Sequence, residues 1–204
     1  MGSKYIVIEG NIGAGKTTLA TKLSKYFNAQ LILETFSENP YLSKFYNQHK
    51  AYALNTELWF FMERLEQLKA IAFSENFIIS DYSFEKSNVF SGITLSADDL
   101  DLFSKITSNI NEQISKPDLF IYLQTPIVQL KKNIQKRART YEQGISDNYL
   151  EQIQNAYQSL LILQENLLII EMDKVDFENE NHFQQVISFL NNNKICSRNT
   201  LKIF

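Results

Sequence analysis

The decapeptide EGNIGAGKTT, Glu9–Thr18, sits between the apolar run KYIVI and the amphipathic run LATKLSKYF. Gly10, Gly15, Lys16 and Thr17 fit the spacing G-x-x-x-x-G-K-[ST] in the order strand, turn, helix that a phosphate-binding loop requires. Glycines let backbone N–H groups turn inward on an anion, and the helix start adds partial positive charge. Contacts to a donor nucleotide are therefore expected from Gly10, Asn11, Ile12, Gly13, Ala14, Gly15, Lys16, Thr17 and Thr18. Lys16 is expected to reach the β and γ phosphates, and the Thr17 hydroxyl to ligate Mg²⁺.

Around that loop, short runs of strand type alternate with segments of helical spacing. The runs are KYIVIE, LILE (31–34), FIIS (77–80), DLFIYL (118–123) and LLIIEM (167–172). Helical spacing covers 15–26, 51–72, 98–114, 127–136, 147–163 and 181–190. In the long segment 51–72, Leu58, Phe61, Leu65, Leu68 and Ile71 form the core-facing stripe. The alternation predicts an α/β P-loop NTPase fold, a five-stranded parallel sheet covered by helices on both faces, with ligands at the carboxyl ends of the strands. The 204 residues suit one domain, and the asparagine-rich tail after Leu190 reads as loosely packed.

A net charge of −3 gives no general attraction to nucleic acid or anionic lipid, so the phosphate held here belongs to a small molecule. No run approaches the roughly twenty apolar residues of a membrane span, and no secretory signal opens the chain. Cys196 is alone and forms no intramolecular disulfide, in keeping with a reducing cytoplasm.

The fate of the phosphate is narrowed by absences and by two carboxylates. Neither the DxxG and NKxD segments of GTPases nor an LSGGQ signature occurs. Glu34 closes the second strand run and Asp81 follows the third, so both are expected to face the loop from strand ends. Asp81 is the candidate to position Mg²⁺, and Glu34 the candidate to accept an acceptor hydroxyl's proton or to orient that hydroxyl. This chemistry is phosphoryl transfer from ATP to a small acceptor.

The segments GNIGAGKTT, ENPYLSKFYNQ, NTELWFFMERLEQL, SDYSFEKSNVFS, KPDLFIYL and KRARTYEQGI, from Tyr5 to about Met172, resemble the deoxynucleoside kinases in order and spacing, most of all the bacterial deoxyadenosine/deoxyguanosine kinase branch. The resemblance implies a homodimeric enzyme of nucleotide salvage. It implies Glu34 as base for the 5′-hydroxyl, Tyr46 and Glu142 as 3′-hydroxyl contacts, and Glu57 and Arg64 as contacts to the nucleobase edge. It also implies Arg137 and Arg139 as arginines of a basic lid, about 131–145, closing over the donor phosphates. Planar guanidinium groups suit phosphoryl oxygens.

Two positions depart from the family pattern. Relatives carry arginine after the acidic residue of the third strand, whereas this chain reads Asp81-Tyr82-Ser83, with Lys86 the nearest substitute cation. Where many relatives have glutamine, this chain has Glu57, and an ionised carboxylate only accepts hydrogen bonds, which suits the adjacent donors of guanine. The substrate expected is a purine deoxynucleoside. Two alternatives stay open at this point: a thymidylate kinase-like monophosphate kinase using Arg64 on the acceptor's phosphate, and a nucleotide-binding regulator without turnover.

Overall fold

Along the first strand, β1 (Tyr5–Gly10), Ile6 and Ile8 join one apolar cluster while Tyr5 and Val7 join another. Side chains alternate across a strand, so both faces of the sheet must be covered. The computed structural model describes residues 5–69, 71, 76–108, 110, 114–192 and 199–203. Five further strands follow: β2 (Gln30–Ile32), β3 (Ile78–Ser80), β4 (Leu119–Gln124), β5 (Leu167–Glu171) and β6 (Asn199–Lys202). All pair in parallel, in the order β2-β3-β1-β4-β5-β6.

One face is covered by α1 (Lys16–Phe27), α6 (Ile127–Arg137) and α8 (Glu180–Asn192), through Leu19, Leu23, Leu130, Ile134, Phe183 and Val186. The other is covered by α3 (His49–Lys69), α4 (Lys86–Thr94), α5 (Ala97–Thr107) and α7 (Asp147–Ile162), through Phe61, Leu68, Val89, Phe103, Ile153 and Tyr157. A short α2 (Leu42–Asn47) lies ahead of α3. The stripe read from the sequence of α3 is the buried one: Phe61, Leu65, Leu68 and Ile71 are core, and Leu58 packs against it. Ser96 and Ser146 cap α5 and α7 by accepting from the backbone N–H groups of Asp99 and Tyr149. No described helix is long and apolar enough to cross a membrane.

The sheet corrects the expectation of five strands. The sixth, β6, comes from the tail read as loose, and its residues NTLK alternate half-buried and exposed beside β5. A short polar strand at a sheet edge carries none of the continuous apolar run that marked the other strands, which is why the tail read as coil. β2 ends at Ile32, two residues before Glu34, and α5 ends at Thr107 rather than near 114. α2 and α4 were not legible because each is shorter than the window over which helical periodicity emerges.

Candidate active site

The chain visits β1, crosses to the sheet edge at β2, returns through β3 and then passes to β4 on the far side of β1. The order reverses at β1, where such folds hold ligands beyond the carboxyl strand ends. The loop from Gly10 to Gly15 lies there and leads directly into α1. Gly15 caps α1 with φ +94°, and Gly13 has φ +81° with a hypothetical Cβ only 3.0 Å from the Leu130 carbonyl of α6. Both positions demand glycine. Asn133 of α6 donates to the Gly13 carbonyl at 2.8 Å, and Asn11 donates to the Leu150 carbonyl of α7 at 2.7 Å, so the loop is braced from two helices.

Lys16 folds back over the loop, donating to the Gly10 and Asn11 carbonyls at 2.8 and 2.9 Å. Burial and the charge of Lys86 push its ammonium down to about 8, against the opposing pull of Glu9, Glu34 and Asp81. Thr17 Oγ1 donates to Asp81 Oδ2 at 2.5 Å, and the Glu34 backbone N–H donates to Asp81 Oδ1 at 2.9 Å. Asp81 therefore joins the start of α1 to the segment after β2. Its buried carboxyl is raised, the Thr17 and Glu34 hydrogen bonds only partly offsetting desolvation.

Glu34 is the centre of an ion triad assembled from three elements. Its Oε1 accepts both Nε and Nη2 of Arg64, at 3.0 and 2.6 Å, and its Oε2 accepts the Lys86 ammonium at 2.5 Å. Arg64 Nη1 donates to Ser87 Oγ at 2.8 Å. Burial alone would raise the Glu34 carboxyl, but Lys86 and Arg64 outweigh it and hold it at about 2. Arg64, which the family resemblance assigned to the nucleobase edge, is thus engaged with Glu34 and Ser87. Tyr82, which the family resemblance marked as a missing arginine, is fully buried and donates to Gln67 Oε1 at 2.6 Å.

In the same cavity, Glu57 is only 3% exposed. Its Oε1 lies 3.1 Å from Thr94 Oγ1, and its Oε2 has no hydrogen-bond partner among the described residues. Desolvation raises its carboxyl to about 7, against Arg64 and the Thr94 hydrogen bond. Thr94 has one hydroxyl proton and two acceptors in range, the second being the Phe90 carbonyl at 2.9 Å. On α3, Phe60 lines the cavity, as do Phe36, Phe90 and Tyr149 from other segments, whereas the neighbouring Trp59 does not.

Tyr46 and Glu142 meet on a third wall. Tyr46 stacks on Tyr141 with centroids 5.7 Å apart, and burial followed by the Glu142 charge raises its phenol. Glu142 pairs with Arg137 through one oxygen and with Arg139 through the other, and the Arg139 guanidinium lies 3.6 Å from the centre of the Phe36 ring. The positive φ of Ala138 ends α6 and turns this segment over the cavity.

Sequence reading passed over Glu9. It is fully buried at the end of β1, where Oε1 accepts the Ser83 N–H at 2.7 Å and Oε2 accepts the Tyr157 hydroxyl at 2.8 Å. An acidic residue interrupting an otherwise apolar strand was the available signal.

A phosphate-binding loop at the switch point of a parallel sheet, with carboxylates from the next two strand ends beside it, defines a P-loop phosphotransferase. The chain matches the deoxynucleoside kinase family over residues 6–197 and belongs to it. It is 36% identical over 195 residues to a deoxyguanosine kinase of Bacillus subtilis, covering 89% of this chain and 93% of that protein. It is 26% identical over 209 residues to the deoxyadenosine/deoxycytidine kinase of the same organism, covering 94% and 95%. A solved deoxyadenosine kinase of M. mycoides superposes with a TM-score of 0.82 over 93% of this chain and all of that one, at 22% identity, and shares the fold. The activity is that of a deoxynucleoside kinase.

Proposed function

We propose that the protein transfers the γ-phosphoryl group of ATP to the 5′-hydroxyl of a purine deoxynucleoside, with deoxyguanosine preferred. The observation that carries this reading is one cavity lined by two unlike carboxylates. Glu34 is fixed as an anion by its cations, and Glu57 keeps one oxygen without a hydrogen-bond partner among the described residues. Guanine offers two adjacent donors to such a carboxylate, which lets Glu57 ionise when that base binds. That the B. subtilis relative is a deoxyguanosine kinase supports the same choice.

Thr17 lines this cavity and also a second hollow that runs along α1 past Lys22 and Tyr26 to Phe183 and Gln184 of α8. A triphosphate seated on the loop joins the two, its nucleoside in the second hollow and its terminal phosphoryl group facing Glu34. Thr17 Oγ1 and the Asp81 carboxylate are hard oxygen donors in contact with each other, a pair that fits Mg²⁺. When bound, the ion supplies positive charge to the phosphoryl oxygens. A carboxylate held at about 2 is a weak base, so Glu34 acts chiefly by orienting the hydroxyl. That is sufficient for a loose transition state in which the proton leaves late. Tyr46 and Glu142 hold the 3′-hydroxyl, and Arg137 and Arg139 turn from Glu142 to the donor phosphates.

The nucleoside cavity offers only about 110 Å³. Ligand pockets span roughly 300–1,000 Å³, so the lid, about 131–145, swings outward to admit the nucleoside and closes behind it. The same reading takes the chain as one domain working as a cytoplasmic homodimer in nucleotide salvage, without nucleic-acid or membrane partners. The test is incubation with labelled ATP and, separately, each deoxynucleoside and each deoxynucleoside monophosphate. Phosphorylated deoxyguanosine and deoxyadenosine are the expected products; turnover of monophosphates alone would overturn the reading.

A further inference from the structure

Counting lone pairs on Glu34 identifies the oxygen that takes the substrate. A carboxylate oxygen offers two acceptor sites. Both sites of Oε1 are filled by Arg64 Nε and Nη2, at 3.0 and 2.6 Å. Among the described residues Oε2 accepts only the Lys86 ammonium, at 2.5 Å, and so keeps one site open. We propose that the acceptor hydroxyl docks on Oε2 of Glu34, and that Lys86, which shares this oxygen, is a catalytic residue that also contacts the phosphoryl group in transit.

The position of Lys86 supports this. It is 6% exposed, begins α4 and lines the same cavity as Lys16 and Thr17. A hydroxyl donating to Oε2 at ordinary hydrogen-bond length lies within about 5 Å of the Lys86 nitrogen. The phosphoryl group that bonds to that hydroxyl is then at the side of Lys86. The ammonium has three donors on one rotatable centre, so it keeps Glu34 with one while another meets an equatorial phosphoryl oxygen. Arg64 has no such freedom: two nitrogens are fixed on Glu34 Oε1 and the third on Ser87. Lys16 and Lys86 line one cavity, so an incoming phosphoryl anion meets both ammonium groups there.

In the step itself the 5′ oxygen forms its bond to the γ phosphorus, and the bond from that phosphorus to the bridging oxygen breaks. The electron pair stays on the nucleoside diphosphate. The hydroxyl proton passes to Glu34 Oε2 and from there to water. Lys86 keeps its own protons and offsets charge on the moving group.

This inference rests on the kinase reading, and one set of variants separates the two. Lys86→Gln keeps a donor for Glu34 but removes the charge, and Lys86→Arg restores charge and reach. The expected result is a kcat about a hundredfold lower for Lys86→Gln, with KM for ATP and deoxyguanosine changed less than about threefold. Lys86→Arg should recover at least about tenfold of that loss. Combining Lys86→Gln with Glu34→Gln should cost much less than the product of the two single losses, because both act on one hydroxyl. A Lys86→Gln enzyme within about threefold of the parent, a Lys86→Arg enzyme no better than Lys86→Gln, or losses that multiply would each overturn the role of Lys86. A parent enzyme inactive on every deoxynucleoside would instead overturn the kinase reading.

Discussion

Glu34 and Glu57 are two carboxylates in one cavity, and their surroundings drive them in opposite directions. Glu34 keeps 14% of its side chain exposed and has a cation on each oxygen; Glu57 is more deeply buried, and among the described residues its carboxyl is hydrogen-bonded by one neutral hydroxyl and by no cation. The first is held as an anion at about 2 and the second as an acid at about 7. Burial alone is therefore no guide to charge state, because the number of donors that come with the buried group decides it. The chemical consequence is a division of labour. On the proposed reading, the carboxylate that orients a hydroxyl keeps its charge, and the one that reads a base lies near its midpoint at neutral pH, where donors from a ligand favour the ionised form.

The comparison breaks first if the Glu34 charge is removed. Glu34→Gln should lower kcat on the order of 10²–10⁴-fold while KM moves only a few-fold, measured by steady-state kinetics. An equal loss in binding would mean that Glu34 holds the substrate and does not act in the transfer.

The next effect is on stability, with opposite signs at the two ends. An unfolded chain releases the Glu57 proton near 4.5 and the folded chain near 7, so between these values the folded state binds more protons. The stabilisation is complete below about 4.5 and is lost as pH rises through 7, by roughly 3 kcal/mol in all. In thermal melts, Glu57→Gln should gain on the parent between pH 5 and pH 8 by on the order of 10 °C. Glu34 contributes stability that is complete above 4.5 and lost as pH falls through about 2.

A smaller change is expected in selectivity. Glu57→Gln supplies a donor as well as an acceptor, and should lower kcat/KM for deoxyguanosine relative to deoxyadenosine by about ten- to a hundredfold. An unchanged ratio would show that Glu57 does not read the base. The smallest effect is that of Thr94→Val, which removes the hydroxyl that donates to Glu57 Oε1. It should cost about 1 kcal/mol and move the pH midpoint of the Glu57 effect further up, as read by melts across a pH series.

The phosphate loop was legible because its parts are adjacent in the chain: the strand, the glycines and the helix start of residues 5–18 act on one another locally. Most strands were legible for the same reason, since a buried parallel strand is a continuous apolar run. β6 was not, because its four residues are polar and become a strand only through their partner β5. Glu34 and Asp81 were recognisable as strand-end carboxylates, although β2 stops before Glu34 and leaves it on an irregular segment where Asp81 fixes its backbone. Lys86 was visible as a spare cation near an absent arginine, but not its bond to Glu34. Tyr82 read as a missing charge, and the structure shows an aromatic built into the core. Glu9 carried a signal in its strand, while its partners Ser83 and Tyr157 lie 74 and 148 residues away.

By itself the sequence determined the loop, the alternation of strand and helix, and the residue types at the strand ends, because those depend on neighbours within a turn or two of chain. Only the tertiary structure decided which charges face which. Arg64 from α3 and Lys86 from α4 converge on Glu34, whereas among the described residues no cation is hydrogen-bonded to Glu57. A carboxylate's ionisation depends on donors within a few ångström in space, and helices brought in by the folding of the sheet supply them.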